Sequence, residues 1–243
     1  MSHAGVLVLG ATSTVARSLA ARWAQEGLPL LLAGRDLPEI ERVAADIRVR
    51  YGSQVEVVAC DTAAAGYPEA VLASVARAGP LRGVLWAFGT MAGADGSGDA
   101  QTLRDSAWVN FGAAPPLIEG LLPLIDREGF IALLSSVAGD RGRQSNYVYG
   151  AAKAALGTYG LGLRHRLSGK GPSVTVVRLG VVDTRMTWGM NVPGGTADPD
   201  AVAQAVQRGI ARRRAVVYAP RRWALVMAVI RNLPEPLFNL LRI

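Results

Sequence analysis

Cysteine is almost absent from this chain of 243 residues, which contains only Cys60. An internal disulfide is therefore excluded, and this cysteine usage fits a reducing compartment. Cys60 closes an apolar run, which favours a buried thiol over a nucleophile. The first five residues lead directly into a predicted strand, without the basic and then apolar pattern of a secretory leader. These features predict a cytoplasmic protein.

Long hydrophobic runs are also missing. The most apolar part of the tail consists of two segments, Trp223 to Ile230 and Leu233 to Leu241, which are separated by Arg231 and broken by Pro234 and Pro236. Neither approaches the roughly 20 residues that a membrane-spanning helix needs. Arginines and a tryptophan at their margins allow a helix that lies on a membrane surface, with peripheral contact at the inner face of the plasma membrane. Packing on the domain itself or on a second subunit is the alternative, so residues 221–243 are predicted as a C-terminal extension of a domain formed by residues 1–220.

Acidic residues are outnumbered: 19 Asp and Glu stand against 26 Lys and Arg, giving a formal charge of +7. Such an excess can indicate nucleic acid or an anionic membrane as a partner. No nucleic-acid-binding module is recognisable, and few aromatic residues accompany the late arginines, so nucleic acid is not expected. A membrane surface or a solvated basic face fits better. The excess is concentrated at Arg208, Arg212, Arg213, Arg214, Arg221, Arg222 and Arg231.

Apolar residues are plentiful, at half of the chain, and 28 residues are glycine. Short apolar runs alternate with helical patterns, which predicts one α/β domain with a doubly wound parallel sheet of about seven strands flanked by helices. A long helical segment is predicted from Leu103 to Asp126, with a kink or boundary at Pro115 and Pro116. The predicted strands are residues 5–9, 28–33, 54–59, 81–88, 130–134, 174–179 and 215–219.

The stretch from Ser135 to Lys153 carries the most chemistry. Ser136 follows a buried strand, and Tyr149 and Lys153 are four residues apart, on one face of a predicted helix. A lysine ammonium beside a phenol favours the phenolate and lowers the pKa of the tyrosine, which can then exchange a proton near neutral pH. A serine hydroxyl within reach can hold the oxygen of a substrate.

A glycine turn after the first strand predicts a dinucleotide site. A strand, a turn and a helix N-terminus offer free backbone N–H groups to a pyrophosphate. At the end of the second strand, Arg35 favours the 2′-phosphate of NADPH, while Asp36 beside it keeps NADH open. The residues of the turn that are expected to contact the cofactor are Gly10, Thr12, Ser13, Thr14 and Val15.

Together these residues resemble the short-chain dehydrogenase/reductase family, over nearly the whole chain. The resemblance implies a Rossmann-type fold, an NAD(P)H cofactor and catalysis by Ser136, Tyr149, Lys153 and Asn110. Tyr149 would donate a proton, Ser136 would orient the carbonyl, Lys153 would bind the nicotinamide ribose, and Asn110 would hold a water. It also implies cofactor contacts at Asp61, Thr62, Gly89, Val182 and Thr184 and, as is usual in the family, a homodimer or homotetramer.

The chain departs from the family pattern at several positions. Thr14 and Ala16 replace glycines, Leu9 replaces a threonine, and Leu179 replaces a proline. Both asparagines of the family's Asn-Asn-Ala-Gly motif are missing, since Trp86 and Ala87 stand in their place. The hydrogen bonds that stabilise the central sheet are therefore expected to come from other residues.

The substrate is expected to be a small ketone or a lipid-linked sugar. Arg141 and Arg143, close to Ser136, would suit a phosphate, and a lid from Arg185 to Gly195 with Met186, Trp188, Met190 and Val192 would suit a lipid chain. Within the family, the loop from Ser136 to Tyr147 is similar to that of reductases acting on a polyprenyl-phosphoryl 2-keto-pentose in cell-wall arabinan precursor synthesis. A general carbonyl or 3-oxoacyl reductase and a non-catalytic NAD(P)-binding regulator are the alternatives. No metal site is predicted.

Overall fold

A computed structural model describes residues 5–189 and 195–241 and contains one parallel sheet of seven strands. The order across the sheet is β3-β2-β1-β4-β5-β6-β7, with every neighbouring pair parallel. The predicted doubly wound α/β fold is confirmed. The strands are β1 (Gly5–Leu9), β2 (Leu30–Gly34), β3 (Val55–Ala59), β4 (Leu81–Trp86), β5 (Ile125–Ser136), β6 (Ser173–Leu179) and β7 (Val216–Ala219).

Helices cover both faces of this sheet. Two of them begin at an aspartate: Asp36 accepts from the N–H of Glu39 at 3.1 Å, and Asp198 accepts from the N–H of Ala201 at 2.7 Å. The helices are α1 (Thr14–Gln25), α2 (Leu37–Tyr51), α3 (Tyr67–Ala78), α4 (Ala100–Ala107), α5 (Ala114–Leu121), α6 (Tyr147–Leu167), α7 (Pro199–Ala211), α8 (Arg222–Asn232) and α9 (Glu235–Phe238).

The first strand shows why the apolar runs are unbroken. Val6 and Val8 point into a core shared with α1, α2 and α7, whereas Leu7 and Leu9 point into a second core shared with α3, α5 and α6. All four side chains are completely buried. Because both faces are covered, a central strand needs apolar residues at consecutive positions instead of an alternating pattern.

The helical segment predicted from Leu103 to Asp126 is interrupted close to the predicted boundary at Pro115 and Pro116, but its predicted end is wrong. It consists of α4, a wide π-helical turn at Trp108–Gly112, α5 and a short 3₁₀ turn at Leu122–Leu124. In the wide turn the N–H of Ala113 bonds to the carbonyl of Trp108, five residues back, at 2.8 Å. Pro115 follows at the start of α5 and lacks an N–H, so a regular helix cannot continue across this point. Beyond α5, Ile125 already belongs to β5 and pairs with Leu81.

The two halves of the sheet meet between β1 and β4. The chain runs from β1 outward to β2 and β3 on one side, and from β4 outward to β5, β6 and β7 on the other. In a doubly wound sheet, ligands bind at the carboxyl ends of the strands at such a switch point. The segments after β1, β4 and β5, which contain Gly10, Gly89 and Ser136, all emerge at this edge.

The C-terminal segment packs on its own domain through part of its surface. Helix α8 lies against β7 and against the 3₁₀ turn at Val137–Asp140. Met227 is completely buried there, and Phe238 of α9 is 9% exposed. The sequence left open whether this tail contacts the domain, a partner or a membrane. The structure shows that the face of α8 that contains Met227 contacts the domain. The boundary at residue 220 between domain and extension stays a prediction.

Candidate active site

Two neighbouring serines at the end of β5 have different surroundings. The hydroxyl of Ser135 is buried and donates to the carbonyl of Lys153 at 2.7 Å, which fastens α6 to the sheet. Ser136 is partly exposed: its Oγ accepts from the N–H of Ala138 at 3.1 Å and donates to the carbonyl of Leu179 at 3.4 Å, and its hydroxyl lies close enough to Tyr149 to lower the pKa of that phenol. Ser136, and not Ser135, therefore faces the tyrosine.

Tyr149 lies in the first turn of α6. Burial raises the pKa of its phenol, and this effect is opposed by the hydrogen bond with Ser136 and by the positive charge of Arg143. The direction is opposite to the lowering that the sequence predicts from Lys153. The pKa of Tyr149 rises because removing a phenolate from water outweighs the attraction of the nearby cation, so the group is held in its protonated form.

Lys153 is 4% exposed, and its ammonium donates to the carbonyls of Phe88 at 3.1 Å and Leu134 at 3.2 Å. Its Nζ is 5.7 Å from the centre of the Tyr149 ring. Burial lowers the pKa of Lys153 to about 7. The lysine therefore links the ends of β4 and β5 and can change its protonation state near neutral pH.

Asn110 is completely buried in the π-helical turn between α4 and α5. Its amide nitrogen donates to the carbonyls of Thr90 and Ser106, both at 2.9 Å, and its oxygen accepts from the N–H of Thr90 at 3.2 Å. These bonds hold the segment after β4. Asn110 and Lys153 thus supply hydrogen bonds to the segment in which the expected asparagines are missing.

Gly89 lies directly between these two residues. A Cβ built on it would come within 3.2 Å of both the Asn110 oxygen and the Lys153 ammonium. Any side chain would therefore crowd Asn110 and Lys153, which explains why glycine occupies this predicted cofactor position.

The turn after β1 is shaped for a close ligand. Gly10 has a φ of 86°, and a Cβ there would lie 2.8 Å from the carbonyl carbon of Ala87. No side chain caps the N-terminus of α1 at Ser13. The N–H groups of the first turn of α1 are therefore free of a side-chain acceptor at the switch point of the sheet, where the helix dipole favours an anion.

The other residues of this turn take different positions. Thr12, Ser13 and Thr14 are partly exposed, whereas the side chain of Val15 is buried in the core, so only its backbone can reach a ligand. This arrangement fits the pyrophosphate of a dinucleotide.

At the ends of β2 and β3, the residues predicted to contact the adenosine are accessible to different degrees. Arg35 is exposed, whereas one carboxylate oxygen of the neighbouring Asp36 is engaged in capping α2. Asp61 is exposed and accepts from the N–H of Ala63 at 3.0 Å. Thr62 is 7% exposed, and its carbonyl accepts from the indole of Trp108 at 2.7 Å.

Thr187 organises the segment after β6, and the sequence interpretation missed this residue. Its hydroxyl donates to the carbonyl of Val182 at 2.5 Å and accepts from the N–H of Thr184 at 3.2 Å. Val182 also pairs with Ala197 in an isolated bridge. Val182 and Thr184, which are predicted to contact the cofactor, are therefore fixed relative to one another.

The comparisons with known proteins agree with this geometry. The family model described as short chain dehydrogenase matches residues 4–192. The chain belongs to the short-chain dehydrogenase family. Among its relatives is an uncharacterized oxidoreductase from Streptomyces coelicolor, encoded in the mprA 5′ region, with 34% identity over 96% of this chain and 94% of the relative.

Solved structures of short-chain dehydrogenases share the fold. One from Sphingobium yanoikuyae in complex with NADPH has a TM-score of 0.80 at 23% identity, covering 96% of this chain and 97% of that one. One from Burkholderia phymatum in complex with NAD has a TM-score of 0.82 at 20% identity, covering 94% of this chain and 93% of that one. At the level of the family, the expectation of an NAD(P)-dependent oxidoreductase is confirmed.

In this short-chain dehydrogenase the two arginines predicted to hold a substrate phosphate have different surroundings. Arg141 donates from Nη1 to the carbonyls of Ile230 at 2.6 Å and Leu233 at 2.5 Å, and from Nη2 to the carboxylate of Glu235 at 2.8 Å. Its guanidinium also stacks on the ring of Phe238, at 3.8 Å from the ring centre. Most of its binding capacity is thus used to fasten the C-terminal segment.

Arg143 has no such partners. Within residues 5–189 and 195–241 its guanidinium makes no hydrogen bond or ion pair, and its Nε is buried without an acceptor. Burial lowers its pKa, while the nearby charges of Asp140 and Tyr149 act in the opposite direction. A desolvated, unpaired guanidinium beside the catalytic tyrosine is suited to an anionic or strongly polar ligand.

The loop that carries both arginines is held by a buried network that the sequence did not reveal. The Asp140 side chain is 1% exposed and pairs with Arg178, and its second oxygen accepts from the hydroxyl of Tyr218 at 2.7 Å. Arg178 and Tyr218 come from the neighbouring strands β6 and β7. This network ties the turn after Ser136 to the sheet.

The lid of this dehydrogenase is described only in part. Met186 is 42% exposed and Trp188 is 87% exposed, whereas Met190 and Val192 lie outside the described residues.

Cys60 is buried, and burial raises its pKa to about 12, so the expected inert thiol is confirmed. In the part of the chain that the structure describes, no helix is long and apolar enough to cross a membrane, and no three potential metal ligands come together.

Proposed function

We propose that this protein is an NAD(P)H-dependent reductase of a ketone, with Tyr149 as the proton donor. The observation that carries the proposal is that Tyr149 lies beside Ser136 at the carboxyl edge of the sheet, with the Lys153 ammonium 5.7 Å from the centre of its ring. A phenol with a raised pKa stays protonated at neutral pH and can deliver its proton to an oxygen that acquires negative charge.

The other residues have supporting roles. The Ser136 hydroxyl orients the carbonyl oxygen of the substrate by donating a hydrogen bond. Lys153 holds the nicotinamide ribose and supports proton supply to Tyr149. Both amide hydrogens of Asn110 are engaged within the protein, so a relay water at this position would bind to an oxygen atom of Asn110. When bound, NAD(P)H supplies the hydride for the carbonyl carbon.

We assign the cofactor to the edge formed by β1, β2 and β3. The pyrophosphate would lie on the N-terminus of α1, the adenine near Asp61 and Thr62, and the carboxamide against Val182 and Thr184. Exposed Arg35 beside the capping residue Asp36 favours NADPH slightly over NADH, because a guanidinium can pair with the 2′-phosphate. Solved structures with this fold contain NADPH in one case and NAD in another, so the fold accommodates either cofactor.

For the substrate we propose the 2-keto group of a polyprenyl-phosphoryl pentose, as in decaprenylphosphoryl-2-keto-erythro-pentose reductase. Unpaired Arg143 supports this choice, because a phosphodiester would provide the acceptor that its buried Nε lacks. The exposed apolar side chains of Met186 and Trp188 support a lipid chain. The enzyme would then act in cell-wall arabinan precursor synthesis, as a cytoplasmic homodimer or homotetramer with peripheral contact at the inner face of the plasma membrane.

The deciding experiment measures oxidation of NADPH and of NADH, separately, with a polyprenyl-phosphoryl 2-keto-pentose and with soluble ketones. Turnover that needs the lipid-linked sugar is expected, with higher kcat/KM for NADPH. Equal turnover of soluble ketones or of 3-oxoacyl thioesters would indicate a general carbonyl or 3-oxoacyl reductase instead. Cofactor binding without turnover of any substrate would indicate a non-catalytic regulator.

Replacing Arg143 tests the proposed contact with the phosphate. In Arg143→Gln we expect KM for the phosphate-bearing substrate to rise at least tenfold, on the order of one charge-assisted hydrogen bond, while kcat/KM for a neutral ketone changes little. Arg77→Gln is the matched control, because Arg77 is exposed on α3 and bonds only to Ser74. Equal losses of kcat/KM for phosphate-bearing and neutral ketones would show that Arg143 acts on Tyr149 and not on the phosphate.

A further inference from the structure

We propose that the outward side of α8 and α9 is a docking surface for an anionic lipid bilayer. Six of the thirteen large hydrophobic residues that are exposed in the described chain lie between residues 225 and 241. This C-terminal surface consists of Leu225 (75% exposed), Val226 (40%), Val229 (60%), Leu237 (52%), Leu240 (76%) and Leu241 (45%).

Helix α8 is apolar on two opposite sides. Met227 is completely buried against the domain, whereas Leu225 and Val229, four residues apart and thus on one face, are 75% and 60% exposed. A surface helix ordinarily presents polar residues on the side away from the core. A helix with an apolar outer side is expected where a membrane or a partner protein covers that side.

The charges around this surface favour a bilayer over a second copy of the chain. Arg221, Arg222 and Arg231 are exposed at its margins, and the one acid within α8 and α9, Glu235, is already paired with Arg141. A two-fold contact would place the same patch of both copies face to face and bring their arginines together. Anionic headgroups complement the arginines, and an apolar face with basic margins is the pattern of helices that lie in the membrane interface.

The C-terminal surface is also connected to the catalytic edge. Arg141, five residues after Ser136, holds the carboxyl end of α8 through the carbonyls of Ile230 and Leu233. At the other end, the indole of Trp223 packs so closely on Gly180 that a Cβ there would lie 2.0 Å from its Nε1. Arg222 donates to the carbonyl of Gly195 at 2.9 Å. Helix α8 thus contacts Gly180, which directly follows β6, and Gly195, so a bilayer on its outer side would lie on an element that is attached to the segments after β5 and β6.

The test is sedimentation of the full-length protein with vesicles of phosphatidylcholine alone and of phosphatidylcholine mixed in equal parts with phosphatidylglycerol. Binding to the anionic vesicles is expected, with a loss at high salt. In the double variant Leu225→Ser/Val229→Ser the partition coefficient should fall about tenfold or more. In Arg221→Gln/Arg231→Gln it should fall about 30-fold on anionic vesicles, as expected for two charges.

Val49→Ser is the matched control, because Val49 is 86% exposed on α2, away from the C-terminal surface, and its replacement should leave binding unchanged. Sedimentation equilibrium of the same variants reports on a second copy as the occupant. Absence of vesicle binding, or dissociation of an oligomer by Leu225→Ser/Val229→Ser, would overturn the proposal. Vesicle binding does not require turnover, so this outcome is independent of whether the proposed substrate is correct.

Discussion

Lys153 and Arg141 are both cations that donate to two backbone carbonyls, but their surroundings differ. Lys153 lies close to Tyr149 and is 4% exposed, and burial lowers its pKa to about 7. The Arg141 side chain is 15% exposed and adds a carboxylate partner and an aromatic ring to its two carbonyls. An ammonium that can lose its proton suits a site of proton transfer, whereas the planar guanidinium suits a fixed structural connection.

The comparison extends to the elements that these cations hold. Lys153 joins the ends of β4 and β5, whose residues are almost all buried, whereas Arg141 joins a loop to a helix whose outer side is exposed. Changes near Lys153 are therefore expected to alter catalysis most, and changes near Arg141 to alter mainly the attachment of the C-terminal segment.

The largest effect is expected for Tyr149→Phe, which removes the proton donor. We predict that kcat falls about 10²- to 10⁴-fold, the usual range for loss of a general acid. Cofactor binding, followed by fluorescence titration, should persist. Tyr147→Phe is the control, because Tyr147 is 51% exposed in the same helical turn and should keep nearly full activity. Equal activity of both variants would refute the assignment of Tyr149.

Lys153→Met should change how stability depends on pH. The folded chain binds this proton with a pKa of about 7 against an ordinary 10.5, so between these pH values the unfolded chain binds more protons. The free energy of unfolding of the wild type should therefore rise with pH in this window, relative to the variant. Below about pH 7 the buried lysine is charged in the folded chain, and its burial lowers the free energy of unfolding by a constant amount, on the order of a few kcal/mol.

Denaturant unfolding of both proteins at a series of pH values measures this difference. Parallel pH dependences would contradict a lysine whose pKa is lowered by burial. The shape of the difference with pH, and not its absolute size, is the test, since the variant also loses the hydrogen bonds to Phe88 and Leu134.

Arg141→Gln should loosen the C-terminal segment. Loss of the paired guanidinium leaves the carbonyls of Ile230 and Leu233 without their donor, and we expect about 3 kcal/mol of destabilisation. Limited proteolysis should cut the tail first, while kcat falls less than in Tyr149→Phe. Arg127→Gln is the control, since exposed Arg127 makes one bond, to the carbonyl of Gly169. Unchanged protease resistance would show that Arg141 does not hold the tail.

Two glycine variants should give the smallest effects, of opposite sign. In Gly180→Ala the new methyl collides with Trp223, which should cost about 2 kcal/mol and displace α8. In Gly162→Ala, within α6, no atom lies within 4 Å of the new methyl. Alanine in a helix interior should raise stability there by about 1 kcal/mol. Thermal unfolding measures both, and a stabilised Gly180→Ala would contradict the close packing of Trp223.

The fold was predictable because its signals are local. Unbroken apolar runs such as residues 5–9 indicate strands covered on both faces, and Asp36 and Asp198 mark helix starts by their side-chain chemistry. For the segment from Leu103 to Asp126, the missing N–H of Pro115 indicated the interruption, but the end was predicted wrongly. The end depends on the pairing of Ile125 with a strand more than forty residues away.

The candidate site was predictable in its membership but not in its electrostatics. Resemblance to the family indicated Ser136, Tyr149 and Lys153, and the structure brings the three together. The pKa of Tyr149 could not be predicted, since it depends on burial by distant parts of the chain. Thr187 and the network around Asp140 carry no motif, so the sequence offered no signal for them.

The sequence by itself determined the class of fold, the candidate site residues Ser136, Tyr149 and Lys153 and the inert character of Cys60, because each depends on residue type and local pattern. Only the tertiary structure decided that Arg141 fastens the tail while Arg143 stays unpaired, although the two are separated by one residue. It also decided which apolar residues of the tail are buried. Such outcomes depend on which side chains from remote segments reach a given point, and a linear pattern does not contain that information.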